Sequence, residues 1–368
     1  MRLLAENTPI LQIRDSVDTL ATILQRAGFK TGFFSANPFL KDRFTKGFDR
    51  AEVGWHSAKD LTAVAERWLD KQPRDKPFFL YVQYMDLHHP IQPPPPFFDY
   101  FKVSEGGTRG PEHTGWSWGG IRAPSDLQNS AFRQWSAHHI AIYDGALHYV
   151  DASVRDLYQH LEETGRADDT LIVITSDHGE EFWDHAIDES VDRNNPRSYW
   201  GVGHGHTMYE ELLRVPLILY GPSVKGPRTV PCVARHIDVV PTLLDLLAIP
   251  RPSTMRGTSL TSYFAQDAGA CSASAVIAES PAYGPDSRAV IMNQRKLVVR
   301  SDGAQSLFDL RDDSQEHHNL AARRPEVVAA LRTILDREST SAGAQEPAAA
   351  MNLDEETKRQ LRALGYLK

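Results

Sequence analysis

The apolar run at 171–174 (LIVI) and the hexapeptide Ser176-Asp177-His178-Gly179-Glu180-Glu181 just after it constrain this chain more than any other feature. A run of that length and composition reads as a buried parallel strand. It sets Asp177 and His178 at the strand's carboxyl end, where open α/β sheets place their ligand sites. The two residues are adjacent, so on a regular strand they would point to opposite faces. Both reach one ion only where the strand has given way to a loop, a turn that Gly179 eases. A carboxylate oxygen beside an imidazole nitrogen suits a divalent cation that binds substrate oxyanions and stabilises charge in a transition state. Alone, Asp-His-Gly reads first as a helix-capping Asp beside a surface histidine. Here it has company: Gly203-His204-Gly205-His206-Thr207-Met208-Tyr209-Glu210-Glu211 precedes another apolar strand at 215–220. Two acid and histidine clusters at consecutive strand ends can converge on one ion.

A chain of 368 residues buries a full core and leaves room for a smaller appendage. Its net charge of −8, with scattered acids and no long basic run, argues against nucleic acid as a partner. No apolar stretch approaches the roughly 18 residues of a membrane span, and the first thirty residues carry no signal segment, so the chain as given reads as cytoplasmic. Cys232 and Cys271 are the two cysteines, too few for a disulfide framework or a Cys-based zinc site, and are expected as reduced thiols.

Periodicity predicts a helix over 15–27 with Val17, Leu20, Ile23 and Leu24 on one face, a short strand at 30–35, a helix at 61–69 and a buried strand at 77–84. An irregular region rich in Pro, Gly and Trp spans 86 to about 133, a loop length that is usually functional. From Ile140 the apolar positions keep three-four spacing to Leu161, predicting a long helix that stops at Gly165. Strand, helix and strand then alternate, which implies a parallel sheet with helices on both faces, its last helix at 239–247. Composition changes near residue 265. Short strands are expected at 275–278, 289–292, 296–300 and 306–310, the last two joined as a hairpin through Ser301-Asp302-Gly303, followed by a helix at 325–337.

A third segment, Leu80-Tyr81-Val82-Gln83-Tyr84-Met85-Asp86-Leu87-His88-His89-Pro90, again sets His at the carboxyl end of an apolar strand. Together these segments resemble the sulfatases of the alkaline phosphatase superfamily. That family has a His-x-Pro motif at a strand end, matched by His88, and the resemblance implies that its imidazole hydrogen-bonds the sulfate ester. The family's Thr-Ser-Asp-His-Gly-Glu is matched by residues 175–180, which implies Asp177 and His178 as ligands of a divalent metal, calcium in most members, with Mg2+, Mn2+ or Zn2+ as alternatives. Residues 204–216 resemble the stretch in which many sulfatases carry a Lys that contacts sulfate. Gly205 stands at the Lys position, four before Tyr209, leaving His204 or His206 to take the role. Gly47-Phe48-Asp49, residues 236–242 and the tail 308–320 extend the resemblance over nearly the whole chain.

The fold it implies is α/β and alkaline phosphatase-like: a mostly parallel, mixed central sheet sandwiched by helices, with a small C-terminal subdomain of antiparallel strands and a helix. The corresponding domains are 1–265, 266–338, a linker at 339–352 and a terminal helix at 353–368. The departures are specific. Sulfatases open with a strand ending in paired Asp metal ligands, then carry Cys-x-Pro-x-Arg or Ser-x-Pro-x-Arg, whose Cys or Ser becomes the formylglycine nucleophile. Neither motif occurs here, since Cys232 is followed by Val233-Ala234-Arg235 and Cys271 by Ser272-Ala273-Ser274. On this comparison the chain is N-terminally truncated, lacks a strand from the sheet's middle and has little or no activity as it stands. Ser35-Ala36-Asn37-Pro38 replaces the family's Gly-Lys-x-His, with Asn37 left to hydrogen-bond an oxyanion.

Three readings follow. The first is a metal-dependent hydrolase of sulfate esters, small molecules or glycans. The second is a phosphoester or phosphonate hydrolase, or a phosphotransferase, of the same superfamily. The third is a non-catalytic, degenerate member. Oligomeric state is open. Trp116 and Trp118 are candidates for substrate contact, Asp184 and His185 for an extended metal site or a solvated pair. The tetraproline at 93–96 stiffens the loop beside His88. His138, His139, His148, His160, His317 and His318 read as packed or exposed without a functional role.

Overall fold

The structure, a computed structural model, describes residues 10–341 except 12, 42–43, 104–123, 188–200, 223, 225, 265–273, 280 and 282–284, and beyond them residues 350–351, 355 and 358–359. Trp116 and Trp118, and most of the expected terminal helix, lie outside the described residues. The chain forms two compact units, one of Arg2–Ala167 with Glu346–Lys368 and one of Asp168–Gln345.

In order, the first unit contains β1 (Ile10–Leu11), α1 (Leu20–Arg26), β2 (Lys30–Ser35), β3 (Arg50–Val53), α2 (Ala58–Asp70), β4 (Phe78–Gln83) and α3 (Ser130–Glu163). β2 lies between β3 and β4 and runs parallel to both, with Phe33 opposite Tyr81 and their rings stacked at 5.0 Å. A central strand loses water on both faces, and residues 31–35 are all buried. α2 begins at Ser57, whose hydroxyl accepts the Asp60 N–H, and its three-four spacing buries Leu61, Ala65, Trp68 and Leu69. Fully burying a side chain such as Leu61 contributes about 1.5–3 kcal/mol. Trp68 lies on β2 because Gly32 has no side chain: a Cβ there would sit 2.8 Å from the indole.

α1 is shorter than the apolar spacing predicts. Thr19 and Thr22 form a capping box that starts the helix after Val17, which is left 40% exposed. α3 is longer, because Asn129 caps it and its first turns bury Phe132 and Trp135, so the irregular region ends several residues earlier than expected. β4 is half-buried rather than buried.

The second unit contains β5 (Ile172–Thr175), β6 (Glu181–Phe182), β7 (Val202–Gly203), α4 (Glu210–Leu213), β8 (Leu217–Tyr220), α5 (His236–Leu246), β9 (Val276–Glu279), β10 (Ser287–Met292), β11 (Arg295–Arg300), β12 (Gln305–Asp309) and α6 (Pro325–Ser341). The last strand, β13 (Ala350–Met351), belongs to the first unit and pairs with β1. β5 corrects the sequence reading. It runs antiparallel to β8 and is not buried, since Ile174, Ile218 and Tyr220 are 38%, 52% and 55% exposed. The described strands thus form a parallel three-stranded sheet in one unit and an antiparallel pair in the other.

The C-terminal sheet follows expectation, with antiparallel order β12-β11-β10-β9. Val290, Leu297, Val299 and Leu307 pack against Val328, Leu331 and Leu335 of α6, whose spacing puts them on one helical stripe. This sheet belongs to the same compact unit as β5–β8, and α6 runs to Ser341, into the stretch expected as a linker. Cys232 is disulfide-bonded, against the expectation of a reduced thiol. No described helix is long and apolar enough to cross a membrane.

Candidate metal and oxyanion site

The loop after β5 is shaped by its own polar groups. The Thr175 hydroxyl donates to the Pro216 carbonyl at 2.8 Å and the Ser176 hydroxyl to the His178 carbonyl at 2.7 Å. The strand has ended by residue 176, so Asp177 and His178 escape strand alternation, as the metal-site argument requires. The Asp177 carboxylate accepts the His178 N–H at 3.1 Å, and its Oδ1 lies 3.6 Å from His178 Nε2. His178 Nδ1 lies 2.8 Å from the Gly179 carbonyl, which only accepts, so Nδ1 carries a proton. The Gly179 N–H donates to the Leu212 carbonyl at 2.9 Å, tying the loop to α4.

β6 and β7 bring the second histidine segment alongside. They pair antiparallel, Glu181 opposite Gly203, so the next pair outward is Glu180 and His204. His204 Nδ1 lies 2.8 Å from Glu180 Oε2, and the His204 ring stacks on His178 at 3.9 Å. One ligand atom from each of His178, Glu180 and His204 lies within 4.8 Å of the others. His206 goes elsewhere: its Nε2 meets Glu181 Oε2 at 2.6 Å, with both side chains buried.

Glu181 also accepts the His185 N–H, and His185 Nδ1 lies 2.6 Å from Glu211 Oε1, its ring stacked on Tyr209 at 3.5 Å. His185 is thus buried rather than solvated and pairs with Glu211, while exposed Asp184 accepts the Phe182 N–H. Burial alone would lower the His185 pKa, but the Glu211 carboxylate, helped by Glu181 and Glu316, outweighs it and holds the imidazolium above its ordinary 6.5. A raised folded-state pKa adds stability that is fully present below the unfolded value and lost as pH rises through the folded one. Glu211→Gln is therefore expected to destabilise the chain most near pH 5.5–6, by about 1.5–3 kcal/mol for a lost charge-assisted bond. The deficit should shrink by pH 9, and thermal melts at the two pH values check it.

His88 belongs to the first unit. It follows β4 in a turn closed by its N–H to the Met85 carbonyl, is 9% exposed, and holds its Nδ1 2.8 Å from the His89 carbonyl. His89 is fully buried and stacks on His139, which in turn stacks on Trp135, so His138 and His139 are core residues. Asn37 uses its side-chain oxygen to accept the Phe39 N–H, which caps a short 3-10 turn.

The structure thus brings His178 and His204 together, keeps Asp177 beside His178, and gives His206 a buried carboxylate partner. Glu180, Glu181 and Glu211 are the residues that sequence reading passed over. The interleaving of acids and histidines in Asp177-His178-Gly179-Glu180-Glu181 and His204-Gly205-His206…Glu210-Glu211 is the signal that would have found them.

Residues 3–249 match the family model described as Sulfatase, and residues 200–340 the one described as N-sulphoglucosamine sulphohydrolase, C-terminal. Arylsulfatase K of Bos taurus is 28% identical over 329 residues, covering 79% of this chain. The chain spans 56% of that relative's length. Among solved structures, BT4656 in complex with its substrate D-glucosamine-2-N,6-O-disulfate superposes with a TM-score of 0.66 at 19% identity, covering 90% of this chain and 83% of the other. The phosphonate monoester hydrolase of Agrobacterium radiobacter gives a TM-score of 0.69 at 18% identity, covering 95% and 86%. These neighbours share the alkaline phosphatase-like fold. With the family model spanning most of its length and the Asp177-His178 loop set as described, the chain belongs to the sulfatase family.

Proposed function

We propose that this chain carries the metal- and oxyanion-binding part of a sulfatase-type site for sulfate esters of small molecules or glycans. The observation that carries the reading is the loop in which Asp177 and His178 lie beside His204, within a chain whose residues 3–249 match the sulfatase family. The donors fit a divalent ion: His178 Nε2 and Asp177 Oδ1 stand 3.6 Å apart. Two ligands bound at about 2.0–2.6 Å to one ion lie at about that separation. When bound, such an ion would supply positive charge against the oxyanion of a sulfate ester. His204, whose Nδ1 is tied to Glu180, is the histidine of this loop proposed to position the ester or give a proton to the leaving oxygen; for His88 that role rests on the family's His-x-Pro motif alone. His206 is less suited, because Glu181 holds its Nε2 in the interior.

The sequence contains no Cys-x-Pro-x-Arg or Ser-x-Pro-x-Arg. For the chain as it stands, the proposal is binding with little or no turnover. Titrating the full chain with 4-nitrophenyl sulfate in the presence of a divalent ion is expected to show binding that weakens at least about 10-fold in Asp177→Asn, with nitrophenol release at background. Release that Asp177→Asn abolishes would overturn the expectation of inactivity. Preference for a phenyl phosphonate monoester would favour the phosphonate reading, and absence of binding to either ester would leave the non-catalytic one.

A further inference from the structure

We propose that His236, in the first turn of α5, is a positioning residue for the loop after β5: it donates its Nε2–H to the Ser176 carbonyl and so fixes the peptide from which Asp177 projects. This deepens the proposed function and rests on its premise that the loop takes part in binding a sulfate ester.

The Asp177 side chain is 67% exposed. Among the described residues its carboxylate has polar partners only in the next residue, the His178 N–H at 3.1 Å and His178 Nε2 at 3.6 Å. No polar group from another element holds it, so its place is set by the backbone that carries it. A peptide unit is planar, and orienting the Ser176 carbonyl therefore orients the Asp177 N–Cα bond as well. His236 Nε2 lies 2.9 Å from that carbonyl, across 60 residues of sequence. A carbonyl only accepts, so Nε2 carries the proton. The loop's own donor for the same oxygen, the Thr175 hydroxyl, is 3.4 Å away and turns to the Pro216 carbonyl at 2.8 Å instead. Beyond Asp177 the Gly179 N–H is held by the Leu212 carbonyl, so Asp177 and His178 are suspended between two fixed points.

The second observation is how firmly α5 is seated. Arg235, the residue before His236, clasps Asp238 through two nitrogens at 2.8 and 2.9 Å and donates to the Ala275 carbonyl just before β9. Asp238 is 3% exposed and accepts the Thr258 N–H at 2.8 Å, and one turn on Thr242 accepts the Leu260 N–H at 2.9 Å. A side chain carried by a helix anchored in this way holds its target more precisely than one carried by a loop. His236 itself is exposed. Its ring adds little to the core, so an effect on the loop separates from an effect on stability.

Three substitutions test this in the full chain. His236→Gln keeps an N–H donor as many bonds from Cβ as Nε2, His236→Asn stops one bond short, and His236→Phe keeps the ring without the donor. Hydrogen exchange, read by mass spectrometry on peptides covering residues 175–182, is expected to speed about 2–10-fold in the Phe and Asn variants, the equivalent of one net hydrogen bond. Their Tm should stay within about 2 °C of the parent. Affinity for 4-nitrophenyl sulfate in the presence of Ca2+ should fall about 10-fold in both. His236→Gln should restore exchange and affinity together, which a packing role does not predict. Exchange unchanged in the Phe and Asn variants, or a Gln variant no better than Phe, overturns the proposal. Ester affinity that falls in Asp177→Asn but not in His236→Phe overturns it too and leaves the sulfatase-type reading intact. If exchange follows the donor while the parent binds no ester, His236 still places the loop and the sulfatase-type reading falls.

Discussion

Replacing Lys296 by Met is expected to destabilise the folded chain by about 3–5 kcal/mol near neutral pH, the loss typical of a buried charge stripped of its partner. Lys296 lies in β11 with a fully buried side chain, its ammonium 2.9 Å from Glu316 Oε1 and 3.1 Å from Glu210 Oε1. Glu316 is fully buried as well, and its second oxygen accepts the Glu210 N–H at 2.6 Å, at the first turn of α4. Burial pushes the Glu316 carboxyl above its ordinary 4.5, with Lys296 pulling it part of the way back. Without Lys296 the carboxyl rises further and the folded state takes up a proton. An acid with a raised folded-state pKa weighs against folding above that pKa and ceases to do so below it. The deficit of Lys296→Met should therefore be largest at pH 8 and shrink toward pH 4.5. Adding Glu316→Gln should recover part of it, since a neutral amide costs less to bury than an unpaired carboxylate. Chemical denaturation at the two pH values checks both statements. A single-variant loss under about 1 kcal/mol, the range of a surface pair, would show that the triad is solvated.

That triad marks a limit of sequence reading. Lys296 is legible as a strand residue, and the strand expected at 296–300 is found at Arg295–Arg300. Nothing local shows that its side chain points into the interior, because its partners lie 86 and 20 residues away in sequence, at Glu210 and Glu316. The four C-terminal strands and α6 were readable because each has its own alternation or three-four spacing and Gly or Asn turns between. The two-residue hairpin at Asn293 and Gln294, both at positive φ, fixes the β10–β11 register. The direction of β5 was not readable. Four apolar residues carry no information on whether a neighbour runs parallel or antiparallel, and the pairing with β8 decides it. In the candidate site, the motifs named Asp177, His178 and His204. The carboxylates that hold the histidines were missed, since Glu180 meets His204 only through a pairing of strands about 20 residues apart in sequence.

The second large effect is expected from a single methyl group. Gly179 packs so closely against α4 that a Cβ built on it would lie 1.9 Å from the Glu211 carbonyl oxygen and 2.9 Å from its carbon. The obstruction is backbone, so no rotamer change relieves it. Gly179→Ala must push the loop off α4 and stretch or break the hydrogen bond from the Gly179 N–H to the Leu212 carbonyl. Overpacking of this kind costs about 1–3 kcal/mol, and the lost bond about 0.5–1.5 kcal/mol more. The functional consequence exceeds the loss of stability. His178 is the neighbouring residue, and its Nδ1 is oriented by the Gly179 carbonyl, so displacement moves the imidazole away from both Asp177 and His204. Divalent-ion affinity should fall about 10–100-fold, the effect of losing the group that orients a ligand. Gly54→Ala is the control: a Cβ there meets only the His56 side chain at 3.8 Å, and stability should change by no more than about 0.5 kcal/mol. Calorimetric melting and metal titration of the two variants decide the matter. If Gly179→Ala melts with the parent and binds the same ion equally well, α4 does not hold the Asp177-His178 loop in place, and the positioning argued for this site is wrong.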